Sequence, residues 1–205
     1  MMDPRWKHPF TCLVSGPTSC GKTQFVKRLV EHAEDMIVPP PQKIVWFYKA
    51  WQKAYSEMPN VHFIEGLPTL DMMDPACRNL FVIDDHMEGI NQTVVDMFKI
   101  WSHHKNTSIV FISQNLFSGS EKYREMSRNS HYNVIFKCPR DVSQIGTIAK
   151  QMYPGKGKFM YESFEDATSE PYAYMLVDTR SDTPNAMRLR AKIFPGELQE
   201  VYIKT

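Results

Sequence analysis

The chain carries little net charge, few cysteines and no long apolar run, and each of these absences excludes a class of protein. Its 24 lysines and arginines face 23 aspartates and glutamates, which leaves a formal net charge of +1. Proteins that bind nucleic acid over much of their surface are usually more basic, so any nucleic-acid contact of this chain has to be confined to a small part of its surface. No apolar run has transmembrane length, and residues 1–7 lack the apolar stretch of a signal peptide.

The cysteines are scattered along the chain, at Cys12, Cys20, Cys77 and Cys138. None of them forms the C-x-x-C spacing of a zinc or redox site. We therefore expect reduced thiols and an intracellular protein. A chain of 205 residues, 42% of them hydrophobic, is long enough to bury a core without disulfides, and it predicts one domain.

Apolar runs alternate with helical patterns through the first three quarters of the chain. The predicted strands are residues 10–15, 43–48, 61–64, 80–83, 108–112 and 133–137, and the predicted helices are residues 24–33, 94–104 and 142–152. Asp141 is the predicted N-cap of the last helix, and the polar stretch 118–131 predicts a loop. Continuous apolar strands with helices between them indicate an α/β fold, with a mainly parallel central sheet flanked by helices.

The end of the chain has a different pattern. Residues 172–179 and 186–194 are two strand-like segments joined by the turn-rich stretch 180–185, which predicts a C-terminal antiparallel β-hairpin. In the second segment the apolar residues Leu189 and Ala191 alternate with Arg188, Arg190 and Lys192. This alternation predicts an edge of the sheet with one solvated face.

Residues 16–23 fit the phosphate-loop pattern G-x-x-x-x-G-K-[ST] at every position. Glycines let the loop wrap its backbone N–H groups around phosphate oxygens, and the following helix points its positive end at the anion. The residues predicted to bind ATP are Gly16, Pro17, Thr18, Ser19, Cys20, Gly21, Lys22 and Thr23. Of these, Lys22 is predicted to reach the terminal phosphates and the Thr23 hydroxyl to bind Mg²⁺.

A second acidic element follows a buried strand. Residues 80–85 read Leu-Phe-Val-Ile-Asp-Asp, typical of the Walker B strand of a P-loop NTPase. A carboxylate at the tip of such a strand is placed to hold Mg²⁺, which we assign to Asp84. Asp85 is predicted to polarise the attacking water, either as the base or by positioning the water. The alternative for this element is a solvated acidic turn.

The strand at residues 108–112 also ends in polar residues. Gln114 is the predicted sensor of the γ-phosphate, with Asn115 behind it, as in P-loop ATPases that have an extra strand between the two Walker strands. The alternative is an amide that only caps the next turn. These elements together predict a P-loop NTPase of the RecA-like (ASCE) type, with a nucleotide-binding core at residues 1–160 and the hairpin and tail at residues 161–205.

These segments resemble the FtsK–HerA superfamily of DNA-pumping ATPases. The resemblance is strongest to the small genome-packaging ATPases of viruses with double-jelly-roll capsids, of the Polinton and adintovirus type and related to the poxvirus type. It rests on residues 16–23, 80–85, 113–117, 127–132, 136–141, 151–155, 171–174, 188–190 and 193–196. It covers essentially the whole chain, and residues 114–155 are its specific part. The chain departs from many relatives in having Asp85 where they have the longer Glu.

The resemblance implies a motor that hydrolyses ATP, assembles as a homo-oligomeric ring and moves double-stranded DNA into a preformed viral capsid. It also implies capsid vertex proteins as partners, no membrane partner, and a location inside the infected host or with the virion. In such rings an arginine of one subunit reaches the ATP of its neighbour. The matching segment offers Arg124, Arg128 and Arg140, of which we prefer Arg128; the alternative is that these arginines are solvated or bind DNA phosphates.

Two other enzyme classes fit the Walker motifs. A ring-forming viral helicase would share the ring and the arginine, and strand separation on a forked substrate would distinguish it. A P-loop kinase would need an acceptor pocket and an arginine-rich lid, and no compact lid is evident. A non-enzymatic nucleotide switch or capsid scaffold would bind ATP without turnover stimulated by DNA.

Overall fold

The computed structural model describes residues 3–84, 90–114, 121–139 and 143–204, except the side chains of residues 143 and 144. The strands are β1 (Trp6–Lys7), β2 (Thr11–Ser15), β3 (Ile37–Val38), β4 (Lys43–Tyr48), β5 (His62–Glu65), β6 (Asn79–Asp84), β7 (Thr107–Ser113), β8 (Tyr132–Phe136), β9 (Tyr174–Asp178), β10 (Leu189–Ala191) and β11 (Glu200–Val201). The α-helices are α1 (Lys22–Glu31), α2 (Ala33–Met36), α3 (Gln92–Asp96), α4 (Ser102–His104), α5 (Glu121–Arg128), α6 (Ser143–Met152) and α7 (Gly157–Ala167). A π-helical turn (Met97–Trp101) joins α3 to α4, and 3-10 helices span Lys53–Glu57, Leu70–Met72 and Asn185–Met187.

Within these residues the central sheet has nine strands, in the order β11-β10-β9-β8-β2-β7-β6-β4-β5. The strands from β8 to β5 in that order are parallel to one another. β9, β10 and β11 each run antiparallel to the preceding strand of the sheet. The predicted α/β fold, with a mainly parallel sheet and C-terminal antiparallel strands, is confirmed.

Helices cover both faces of this sheet because successive side chains of a strand point in opposite directions. On β2, Val14 packs in a core that includes Phe25 and Leu29 of α1. Its neighbour Leu13 packs on the opposite face, in a core that includes Phe98 and Tyr123. Across the described residues, no helix is long and apolar enough to cross a bilayer.

Two helices differ from the sequence prediction. The loop predicted for residues 118–131 was wrong over Glu121–Arg128, which form α5. Only Tyr123 and Met126 of this helix are buried, so the apolar periodicity is too short to be recognised. Helix α7 was not predicted either, although Met160 and Phe164 form a buried stripe on it. The boundary predicted at residue 160, between the nucleotide-binding core and the C-terminal part, falls inside this helix. The predicted N-cap Asp141 lies outside the described residues.

The solvated face predicted for the second strand of the hairpin was wrong at Arg190, although Lys192 is exposed as predicted. Arg190 is only 2% exposed, and its Nη2 donates to Asp178 Oδ2 at 3.1 Å. Burial raises the pKa of the Asp178 carboxyl and lowers the pKa of the Arg190 guanidinium, because both charges leave water. Strand β11 pairs with β10 on its outer side, so β10 is an interior strand.

Candidate nucleotide-binding site

The predicted site residues lie where three parallel strands end at one edge of the sheet. β7 lies between β2 and β6, so an extra strand separates the two Walker strands. Ser15 pairs with Ser113, and Asp84 pairs with Ile112. The phosphate loop follows Ser15 directly, and Gln114 follows Ser113. The carboxyl ends of parallel strands therefore bring the phosphate loop, the acid and the amide together, as in other open α/β sheets.

The phosphate loop depends on its two glycines. A Cβ atom at Gly16 would lie 2.6 Å from Phe136 Cβ and 2.7 Å from Cys20 Sγ, so no larger residue fits without a shift. Gly21 has φ of 106°, in the left-handed region that favours glycine, and it is the N-cap of α1. The chain can therefore turn directly from the loop into the helix.

The ammonium group of Lys22 is held inside this loop. Its Nζ donates hydrogen bonds of 2.7 Å to the carbonyl oxygens of Gly16 and Pro17, and the residue is 9% exposed. A positive charge at the N-terminus of α1 adds to the helix dipole and favours an anion there. Burial raises the pKa of the neighbouring Cys20 thiol, so Cys20 adds no negative charge to the loop.

Asp84 is buried at the end of β6 and is oriented by a tyrosine. The Tyr55 hydroxyl donates a 2.8 Å hydrogen bond to Asp84 Oδ2. Tyr55 is itself buried, and its phenol packs on Phe63 in a stacked pair with centroids 5.1 Å apart. Tyr55 is thus a positioning residue for the carboxylate. Its role was not predicted from the sequence, because no motif marks this tyrosine.

A cavity of about 720 Å³ joins these groups. Its lining residues are Thr18, Ser19, Gly21, Lys22, Thr23, Gln24, Phe25, Arg28, Gln52, Asp84, Ile112, Gln114, Phe136, Tyr172, Tyr174 and Phe194. Seven sequence-predicted residues are therefore brought together there: Thr18, Ser19, Gly21, Lys22, Thr23, Asp84 and Gln114. The aromatic residues, Gln52 and Arg28 were not predicted. They lie outside the Walker motifs, and only the fold brings Gln52 and the C-terminal aromatics to the loop.

The oxygen donors of the cavity fit Mg²⁺. Thr23 and Asp84 line the same cavity, and their side chains carry hydroxyl and carboxylate oxygens, the hard ligands that Mg²⁺ prefers. The Tyr55 hydrogen bond fixes one carboxylate oxygen, as outer partners of metal-binding carboxylates commonly do.

The predicted trans-acting arginines lie elsewhere. Arg124 and Arg128 are exposed, one turn apart on α5, and line a separate hollow of about 230 Å³ with Glu121 and Glu125. Neither arginine lines the nucleotide cavity of its own chain. Asp85, Asn115 and Arg140 lie outside the described residues.

Comparison with solved structures places the fold in a known class. The genome packaging NTPase B204 of Sulfolobus turreted icosahedral virus 2, in complex with ATP-gammaS, matches with a TM-score of 0.55 and 11% identity over 89% of this chain and 96% of that chain. Its complex with AMPPCP matches with a TM-score of 0.53 and 9% identity over 99% of both chains. The fold is that of a P-loop NTPase.

The relationship is one of structure, since identities of 9–11% show a shared fold. A scan against protein-family models found no match. A search of curated proteins also found none. The neighbour is a viral genome-packaging NTPase, and two of its matching complexes contain ATP analogues while a third contains sulfate.

Proposed function

We propose that this chain is an ATPase that uses Mg²⁺-dependent ATP hydrolysis to move double-stranded DNA into a preformed viral capsid. The observation that carries the proposal is the cavity in which Lys22, Thr23, Asp84 and Gln114 converge. The structural likeness to a genome-packaging NTPase supports the packaging role. The finer proposal is an FtsK–HerA ATPase of the Polinton or adintovirus type, acting as a homo-oligomeric ring at a capsid vertex inside the infected host.

Each residue has a defined part in the hydrolysis of ATP by in-line attack of water. Two of the three N–H donors of Lys22 bond the carbonyl oxygens of Gly16 and Pro17, and the third is proposed to donate to the β- and γ-phosphates. Thr23 and Asp84 would hold the Mg²⁺ ion, which neutralises developing phosphate charge when bound. Gln114 contacts the γ-phosphate, and Asp85 is proposed to polarise the water. Positioning and electrostatics supply most of the acceleration.

The arginine finger is proposed to come from a neighbouring subunit. Arg128 is outside the cavity of its own chain, so any contact with ATP requires a second copy. Its guanidinium would then stabilise charge on the transferring phosphoryl group.

The deciding experiment measures ATP turnover with and without double-stranded DNA, alongside the mass of the oligomer. DNA-stimulated hydrolysis in a multi-subunit assembly is the expected result. Lys22→Ala is the control, because it removes the phosphate-binding charge and leaves the core intact; its turnover should fall to background at an unchanged thermal midpoint. ATP turnover that DNA leaves unchanged would contradict the motor, and unwinding of forked DNA would identify a helicase.

A further inference from the structure

The nucleotide cavity has two chemically different ends. The polar end contains Lys22, Thr23, Asp84 and Gln114, which the proposed hydrolysis uses. The other end is lined by Phe136, Tyr172, Tyr174, Phe194 and Arg28. The hydrolytic chemistry gives no role to this aromatic end, although it adjoins the phosphate loop directly.

The reversal of strand direction in the sheet builds the aromatic end. β9 is antiparallel to β8 and pairs Tyr174 with Phe136, so the residues before β9 lie at the phosphate-loop edge. β10 reverses again, and the chain after it returns to the same edge, where Phe194 packs 5.1 Å from Phe25 of α1 between ring centroids. Two segments distant in sequence thus converge beside the loop.

Tyr172 is an unusual residue at this edge. Its side chain is among the exposed large hydrophobic groups, at 72%, yet its backbone has φ of 64°, a left-handed conformation that costs free energy in any residue with a Cβ atom. A Cβ atom at Gly21 would lie 3.5 Å from Tyr172 Cβ and Cδ1, so the phenol stands against the phosphate loop. Backbone strain of this kind concentrates at ligand clamps.

Arg28 supplies a second flat group at this end of the cavity, its guanidinium, beside the phenol of Tyr172. Its Cζ lies 4.0 Å from the centroid of the Phe194 ring, and its Nη2 is 2.8 Å from Glu197 Oε1. Phe194 is buried, the planar guanidinium lies over its ring, and Arg28 is one of the residues that line the cavity. Arg28 follows Lys22 by six positions on α1, which is roughly 9 Å along the helix axis. That separation is on the scale of a nucleoside joined to its phosphates.

We propose that Tyr172 and Arg28 form the subsite for the nucleobase, with the base stacked on the phenol of Tyr172 and beside the guanidinium of Arg28. This inference rests on the proposed nucleotide hydrolysis and adds the substrate class to it. Stacking tolerates every base, because every base has a π-face, and its modest preferences come from stacking strength, which is greater for the larger purines. The site therefore takes purine nucleoside triphosphates, binds ATP and GTP with similar affinity, and binds UTP more weakly.

Calorimetry with two ligands tests the subsite: ATP, which has a base, and inorganic tripolyphosphate, which has none. Tyr172→Ala should weaken ATP binding by roughly 5- to 150-fold, the range of one base–aromatic stack, and leave tripolyphosphate binding unchanged. Tyr172→Phe is the matched control, because it keeps the stacking surface, and it should bind ATP like the unmodified protein. The preference for ATP over UTP should shrink in Tyr172→Ala.

Two further variants separate stacking from folding and from charge. Tyr172→Gly fits the left-handed backbone without strain, so it should keep or raise the thermal midpoint while it weakens ATP binding as Tyr172→Ala does. Arg28→Lys keeps the positive charge near Glu197 but loses the planar surface, and it should weaken ATP binding without affecting tripolyphosphate.

The outcomes distinguish this inference from the proposed function. If ATP binds in a Lys22-dependent manner and Tyr172→Ala binds it normally, the subsite is refuted and the ATPase proposal stands. Equal weakening of ATP and tripolyphosphate would also refute it, because Tyr172 would then only shape the phosphate loop. Failure of the unmodified protein to bind either ligand would overturn both proposals.

Discussion

The hydroxyl of Tyr55 donates a 2.8 Å hydrogen bond to Asp84 Oδ2, although the two residues are 29 positions apart in the chain. The bond links the 3-10 helix Lys53–Glu57 to the tip of β6. The carboxylate proposed to hold Mg²⁺ therefore depends on a residue outside both Walker motifs.

Tyr55→Phe should reduce ATP turnover and Mg²⁺ affinity by about 10- to 100-fold, the usual effect of losing an outer partner of a metal ligand. The phenyl ring keeps its stacking on Phe63, so the thermal midpoint should change little. Titrating turnover against Mg²⁺ measures the effect. Tyr48→Phe, in the same aromatic cluster, is the control and should behave like the unmodified protein; an equal loss in both variants would argue against a role for the bond.

The two adjacent acids are predicted to act at different steps. Asp84→Asn should weaken the Mg²⁺ dependence of nucleotide binding. Asp85→Asn should leave binding intact and slow the chemical step, because only the charge that activates water is lost. Nucleotide affinity and single-turnover rates of both variants separate the roles, and an equal loss of affinity in both would contradict this division.

Arg128→Ala should bind ATP yet be nearly inactive, since an arginine finger contributes roughly 10³–10⁵ in turnover. Mixing it with Lys22→Ala should restore part of the activity, because some intact nucleotide sites then lie beside intact arginines. DNA should raise the recovered activity if it promotes assembly, and salt should lower it.

Arg124→Ala, one turn earlier on the same exposed face of α5, is the matched control and should retain activity. If mixed oligomers demonstrably form and no activity returns, Arg128 does not act in trans. Arg124 and Arg140 would then be put through the same complementation.

Stability should fall in mild acid because of His131. Its Nδ1 accepts a 3.0 Å hydrogen bond from the Thr11 backbone N–H, and burial, with the charge of Arg180 second, lowers its pKa from 6.5 to about 4. Between pH 6.5 and about pH 4 the His131 imidazole is therefore mostly protonated in the unfolded chain and mostly neutral in the folded chain. Stability from this group is complete above pH 6.5 and is lost as the pH falls toward 4.

Urea unfolding at pH 7.5 and pH 5 measures this loss. After allowance for the partial exposure of the imidazole, His131 should account for on the order of 1 kcal/mol between the two conditions. His131→Asn keeps an acceptor for Thr11 but does not titrate, so its loss should be smaller by that amount. His8 and His103, whose pKa values are also lowered by burial, remain in both proteins. Identical losses would show that His131 is not responsible.

The sequence predicts the fold class and the polar end of the site because both depend on short, contiguous patterns of residues. The loop from Gly16 to Thr23 is contiguous, and the strands that end at Asp84 and Ser113 are continuous apolar runs. Parallel pairing then has to bring their ends to one edge. These features need no knowledge of distant contacts.

The parts that were missed depend on tertiary contacts. Arg190 alternates like a solvated residue, but in the fold its guanidinium is buried against the Asp178 carboxylate and the Pro4 carbonyl oxygen. Tyr55 and Tyr172 belong to neither Walker motif, and the sheet topology brings them to Asp84 and Gly21. Helix α7 was missed because Gly155 and Gly157 suggest a turn, although its apolar stripe could have been recognised.

The central position of β2 has a consequence for synthesis on the ribosome. Leu13 pairs with Phe111 on one side and Asn133 on the other. Strand β2 therefore stays unpaired during synthesis until β7 and β8, about one hundred residues further along the chain, have been made. Non-local pairing of this kind slows folding and leaves apolar strand edges open in the meantime. The emerging chain is thus exposed to aggregation until β8 has left the exit tunnel, and chaperone demand should be greatest in that interval.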